Sequence, residues 1–199
     1  MCNRKQPVKS GRMPAFFLAA VAALCATGCT DYGRVEQGRV IAFNKKSGQV
    51  TLIRDSTGGQ ASQAVYDVLP PLSVQSPGDP DEMGPEPQAG RLMAVDRKSR
   101  VLTVYDIAAN QLRTIPYEPL EEKHNVAKGT GFPLVDKQKR TISFYWREDH
   151  TVVTFSASDD LLALPADTWK GGDIVRYYFK NPGEALRMMN VTRTDLTKS

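Results

Sequence analysis

The sequence predicts an all-β fold, an antiparallel barrel or sandwich built from repeated three-stranded meanders and closed by a C-terminal hairpin. Three observations carry that expectation. Strand-like segments recur at fixed offsets, residues suited to tight turns stand between them, and helical periodicity is nearly absent. The 41% hydrophobic and 24% charged residues of the 199-residue chain fit a folded domain rather than a disordered polymer or a multi-span membrane protein.

The first copy opens with Gly38-Arg39-Val40-Ile41-Ala42-Phe43-Asn44-Lys45-Lys46-Ser47, echoed 52 residues later by Gly90-Arg91-Leu92-Met93-Ala94-Val95-Asp96-Arg97-Lys98-Ser99. Each continues into a second strand, Val50-Thr51-Leu52 in one and Leu102-Thr103-Val104 in the other. A third copy, Val135 to Phe144, repeats Val95 to Val104 at an offset of 40. In every copy an apolar strand meets an Asn or Asp, a basic turn follows, and the return strand alternates Thr or Ser with apolar residues, as hairpins do. A third strand completes each unit at Ala64 to Leu69, Gln111 to Pro116 and His150 to Ser156. The closing hairpin joins Asp173 to Lys180 and Ala185 to Thr192 through Asn181-Pro182-Gly183-Glu184, whose Pro and Gly supply turn geometry. Eleven strands result. Helix is expected only at Ser158 to Ala163, with Ser158 as cap, and in the polar stretch Pro119 to His124.

The N-terminus reads as an export signal. Arg4, Lys5, Lys9 and Arg12 form a basic region, Ala15 to Ala26 are twelve uncharged residues, and Thr27-Gly28 precede Cys29. Twelve helical residues at about 1.5 Å each fall short of a hydrocarbon core of roughly 30 Å, so the segment addresses the chain rather than spanning the membrane. Residues 1–28 carry no acid, and the remaining 22 basic side chains equal the 22 acidic ones. The net charge of +4 therefore belongs to the signal. The body lacks the cationic surplus that nucleic-acid binding needs, and no nucleic-acid partner is expected.

Ala26-Thr27-Gly28-Cys29 resembles the bacterial lipobox. The resemblance implies lipidation of Cys29, cleavage before it, and anchoring in the cell envelope facing the periplasm. Thr30 rather than Asp after the cysteine implies the outer membrane over the inner one. Cys2 and Cys25 would leave with the signal, so no disulfide is expected in the mature domain. The organisation is then a signal peptide at 1–28, a flexible tether at 29–37 and a β domain at 38–195. Within that domain residues 70–88 form an exposed excursion, with six prolines, Asp79, Asp81, Glu82 and Glu86 and no base.

The Gly-Arg-Val and Gly-Asp-Ile-Val strand openings resemble small periplasmic barrels of the oligonucleotide/oligosaccharide-binding type. Through the lipobox and the closing Gly172-Asp173-Ile174-Val175-Arg176-Tyr177-Tyr178-Phe179-Lys180 and Leu186-Arg187-Met188-Met189-Asn190-Val191-Thr192 stretches, the chain is similar to an uncharacterised lipoprotein family of sulfate-reducing bacteria, a domain of unknown function. That resemblance implies no activity.

No metalloprotease, Cys-x-x-Cys, nucleophile-elbow or phosphate-loop motif occurs, so no catalytic residue, cofactor or metal ligand is assigned. His124 and His150 read as surface residues. Met188 and Met189 are adjacent and face opposite ways in a strand, while Met93 shares a core position with Ile41, which argues against copper. Asp79-Pro80-Asp81-Glu82 lacks a calcium loop's central glycine and reads as a solvated acidic turn. The basic turns at Lys45, Arg97 and Lys137 read as solubilising strand ends; an aligned basic edge for anionic lipid or polysaccharide is the rival reading. Tyr145 and Tyr178 are candidates for a partner surface. The expected function is a non-catalytic envelope lipoprotein that binds a protein or glycan partner, the alternative a small-ligand or metal-ion carrier.

Replacement of Cys29 by Ser should abolish incorporation of labelled palmitate and leave the unprocessed chain unanchored after membrane extraction. A variant still lipidated and processed would refute the anchor.

Overall fold

A computed structural model describes residues 32–58, 64–127 and 131–194; the signal segment and Cys29 lie outside the described residues. The structure is all-β; the described residues form twelve strands in three antiparallel sheets in a sandwich-like arrangement. The first sheet contains β1 (Arg34–Asn44), β2 (Gln49–Asp55), β3 (Tyr66–Gln75), β11 (Ile174–Phe179) and β12 (Arg187–Asn190), in the order β12-β11-β1-β2-β3. The second is the meander β4 (Leu92–Asp96), β5 (Val101–Asp106) and β6 (Gln111–Pro116). In the third, β8 (Leu134–Asp136), β9 (Thr141–Trp146) and β10 (Thr151–Ser156) form a meander that β7 (Pro119–Lys123) extends along β10. One short helix, α1 (Asp159–Leu162), follows β10.

The offset of 40 is a structural repeat. Strands β5 and β6 begin and end 40 residues before β9 and β10. Turn residues Arg100 and Arg140 share a left-handed backbone, with φ of 54° and 53°, as do Asn110 and His150, with 51° and 54°. Asn44, Asp96, Asp106 and Asp136 each accept backbone N–H groups two or three residues ahead, so the Asn or Asp at each strand end folds its own turn. Equivalent residues then bury each other: Leu102 with Ile142, Val104 with Phe144 and Ile115 with Phe155 belong to one core between the second and third sheets, which Trp169 fills. The offset of 52 has its own core. Ile41 and Met93 sit at matching bulges in β1 and β4, and they cluster with Ile53 and Tyr105, another pair 52 apart, and with Tyr66.

The first sheet curls around a third core that includes Val40, Leu52, Val74, Tyr177 and Met188. Its far edges meet at one point, where Gln75 N donates to Gly183 O (2.8 Å) and Ala185 N to Gln75 O (2.9 Å), without closing a barrel.

Several expectations are corrected. The tether reaches only Gly33: Arg34–Gln37 are strand, paired with Arg176–Phe179. Their polar side chains have distant partners, since Tyr177 Oη donates to Glu36 (2.7 Å) and Arg176 to Gln37 (3.0 Å). Of the expected excursion, Pro70–Gln75 belong to β3, and the two prolines stand where the pairing passes from Arg54↔Val68 to Leu52↔Leu72, a bulge that needs no donor from them. Beyond it, Met83 bridges Met188 and Gly84 N donates to Met188 O (2.8 Å), so the segment covers the edge of β12. Pro119–Lys123 is strand rather than helix, because β10 offers it a free edge. Ser158 stands at the start of α1, but its hydroxyl goes to the Asp160 carboxylate instead of a backbone N–H.

The sheets join where three backbones touch. Gly90 N donates to Val40 O (3.1 Å), Val40 N to Asp173 O (2.9 Å), Leu92 N to Lys170 O (3.0 Å) and Asp173 N to Gln88 O (2.8 Å). Only glycine permits this crossing, since a Cβ on Gly172 would lie 2.0 Å from Val40 O and one on Gly90 2.2 Å from Lys170 O. Gly172→Ala should therefore destabilise the domain by about 3 kcal/mol or more in urea unfolding. Gly78→Ala, whose new methyl meets nothing within 4 Å, should stay within about 0.5 kcal/mol of wild type; equal effects would refute the junction's tightness.

Candidate functional site

Beside that junction lies a cleft of about 630 Å³ between the first and third sheets. β1 supplies Arg39, the end of β9 Tyr145 and Trp146, the β9–β10 turn Arg147 and Glu148, the strand-like linker Lys170, and the segment after β12 Arg193. Four cations line it. Glu148 is the only acid among its lining residues.

Two buried charges organise this wall. Asp173 is completely buried, behind the cleft. One carboxylate oxygen accepts Arg147 Nη1 (2.9 Å); the other accepts Gln88 N (2.9 Å), Asn190 Nδ2 (2.9 Å) and Arg193 Nε (2.7 Å). Burial alone would raise its pKa, but the bonds from Asn190, Gln88 and Arg147 and the Arg193 charge together hold it below the ordinary aspartate value. Arg39 is 5% exposed. Its Nη1 donates to Gly172 O (3.1 Å) and its Nη2 to Glu148 Oε1 (2.7 Å), while its guanidinium lies 4.8 Å from the Tyr66 ring centre and 5.2 Å from that of Trp146. The two rings supply the cation with π faces that Nε, which has no acceptor, shares.

The commitments differ among the cations. Arg147 and Arg193 each spend one nitrogen on Asp173 and keep 32% and 25% of their side chains exposed. Lys170 makes no ion pair among the described residues and is half-buried. The arrangement offers hydrogen-bond donors and positive charge, with aromatic surface from Phe132 and Tyr145. A polar ligand rich in oxygen acceptors matches it.

The residues singled out from sequence distribute otherwise. His124 Nδ1 lies 3.1 Å from an Arg97 nitrogen and 3.2 Å from Thr151 Oγ1, and His150 Nδ1 2.8 Å from Tyr145 Oη. The neighbouring guanidinium makes the surroundings of His124 unfavourable for a metal cation. Among the described residues, no three His, Cys, Asp or Glu side chains converge as metal ligands. Met188 faces the first sheet's core while Met189 is half-buried, and Met93 is core. Glu82 is committed to Arg187 and Asp79 to the N–H of Asp81. Each basic turn has a cation in an ion pair: Lys45 with Glu86 (2.7 Å), Arg97 with Asp149 (2.9 Å) and Arg140 with Asp159 (3.0 Å). Of the two tyrosines, Tyr145 reaches the cleft and Tyr178 does not line it.

The cleft residues went unrecognised in sequence because Arg39 reads as a repeat position and the others as turn or linker. A signal existed in the repeat itself. The β9–β10 turn carries Arg147-Glu148-Asp149 where its counterpart 40 residues earlier has Ile107-Ala108-Ala109. That apolar counterpart lines a smaller cavity of about 260 Å³ with Leu164 and Pro165. Related turns with opposite chemistry mark the place where the two copies diverge.

Asp173→Asn leaves both arginines without their counter-charge and should cost about 3–5 kcal/mol in urea unfolding at pH 7. Because the folded-state pKa of Asp173 is depressed, its contribution is present above the unfolded value of about 3.9 and is lost as pH falls through the folded value. The wild-type and variant stabilities should therefore converge below about pH 4, and a constant difference down to about pH 2 would refute the assignment.

Among curated proteins and among solved structures, none matches the chain significantly. Residues 31–199 match the family model described as a domain of unknown function (DUF4881).

Proposed function

We propose, from the premise that the chain belongs to the DUF4881 family and inherits no activity from it, that the protein is a non-catalytic envelope lipoprotein that binds a glycan in the cleft. The observation that carries this reading is the cleft's composition: four cationic side chains and aromatic surface facing a single carboxylate. Sugar hydroxyls accept and donate hydrogen bonds along a donor-rich wall while ring carbons rest on aromatic faces. Catalysis of the common hydrolytic kinds would require a paired carboxylate or a nucleophile with its base, and the lining residues include neither a second acid nor a histidine.

A protein partner is less well supported. Stable protein interfaces cover about 800 Å² per partner around an apolar centre. The exposed large hydrophobics are instead distributed over all three sheets, with Tyr32, Val35, Val65, Leu69 and Leu186 on or beside the first, Ile107 beside the second, and Leu120 and Leu134 on opposite edges of the third. Lipidation at Cys29 and export remain part of the proposal. No helix among the described residues is long and apolar enough to cross a membrane. β1 starts at Arg34, five residues past Cys29, so the anchor would hold the domain within about 17 Å of its leaflet.

The test is capture of envelope saccharides by the full chain in detergent, compared with Lys170→Glu. Wild type should retain a saccharide fraction that the variant binds at least about tenfold more weakly. Capture of proteins alone, equally by both, would replace the glycan reading with the protein partner. Stoichiometric retention of a metal ion or small solute in place of saccharide would favour the carrier.

A further inference from the structure

We propose that the cleft takes a glycan bearing carboxylates, a uronate chain, and that Glu148 is an internal stand-in for the ligand's carboxylate on Arg39. The inference rests on the reading of the cleft as a glycan site and specifies its ligand class and its resting state.

Arg39 is fixed independently of Glu148. Its strand, the carbonyl of Gly172 and the rings of Tyr66 and Trp146 hold the guanidinium in place. Glu148 differs. It stands on a turn between two strands, lines the cleft, and keeps 41% of its side chain exposed although its carboxylate sits 2.7 Å from Arg39 Nη2. Its neighbours are tied elsewhere, Arg147 to Asp173 and Asp149 to Arg97. The turn backbone is thereby held while the Glu148 side chain has water on its other side. The half-exposed Glu148 carboxylate regains hydration when it leaves, whereas the buried Arg39 requires a counter-charge, so the exchange proceeds against an incoming carboxylate and not against water.

The pair also displays the chemistry the site accepts: a planar carboxylate presented to a guanidinium nitrogen from the cleft side. When the ligand's carboxylate takes that position, Glu148 swings to solvent and Arg39 keeps a counter-charge throughout. Lys170, without an ion pair among the described residues, and the unused nitrogens of Arg147 and Arg193 supply positions for further carboxylates along a chain. Uncharged sugars would meet the same wall but could not displace Glu148.

The protein contains two tryptophans, Trp146 and Trp169, and both line the cleft, so intrinsic fluorescence reports its occupancy. The full chain in detergent is titrated with an oligomer of galacturonic acid and with its methyl-esterified counterpart, which has the same sugar chain with its carboxylates masked. The acid form should bind at least about tenfold more tightly than the ester. Glu148→Gln should tighten the acid form about fivefold relative to the ester, and Lys170→Gln should weaken the acid form more than the ester. Equal binding of acid and ester, with Glu148→Gln inert, would overturn the carboxylate inference and leave the glycan reading standing. Weaker acid binding by Glu148→Gln would make Glu148 a ligand contact and overturn the stand-in. Binding of neither oligomer would remove the glycan reading as well.

Discussion

A carboxylate sealed from water imposes its own conditions on a fold, because its charge must be met by groups that the rest of the chain delivers. Asp173 sits at such a point. Its partners come from the β9–β10 turn, from β12 and the residues after it, and from the segment that leaves the proline-rich stretch. Its own backbone bonds to Val40 and Gln88. Replacing any one of these segments would leave a buried charge short of a partner, so the first and third sheets and the Pro80–Gly90 segment are held to one another by a single requirement. The glycines at the crossing are a consequence: the backbones must approach closely enough for Asp173 to be enclosed.

Around that point the chain is economical. One three-stranded unit, written with an Asn or Asp at the strand end, packs against its own copy to make two of the three cores. Such a duplicated arrangement satisfies strand and turn alike without special chemistry. The third core forms inside one curled sheet, which needs the C-terminal hairpin to complete it. The cleft opens where the curled sheet meets the last meander, and two of its five charged lining residues, Arg147 and Glu148, come from a turn whose counterpart 40 residues earlier is Ile107-Ala108-Ala109. Two copies of the same turn thus present opposite chemistry.

The charge pattern follows the same division. The body carries equal numbers of basic and acidic side chains, and Lys45, Arg97 and Arg140 in its turns pair with nearby acids. At the cleft, Arg39 is held by Gly172 O and Glu148, Arg147 and Arg193 by the buried Asp173, and Lys170 has no ion pair among the described residues. Four cations against one lining acid give the cleft a local positive charge that net charge would not reveal.

By itself the sequence determined the strand class, the repeat and its turns. The reason is locality: a Thr-x-apolar alternation or an Asp beside a basic turn acts within a few residues. It also determined that Met93 is core and that Met188 and Met189 part company, since strand geometry separates neighbours. Tertiary structure alone decided the rest. Arg34–Gln37 became strand because their partners lie about 140 residues away, Pro119–Lys123 became strand because β10 had an open edge, and the prolines of β3 were absorbed by a bulge. The cleft belongs to this second class. Arg39, Glu148, Lys170 and Arg193 are ordinary residues in sequence, and only the packing of β1, the β9–β10 turn, the linker before β11 and the segment after β12 brings them to one wall.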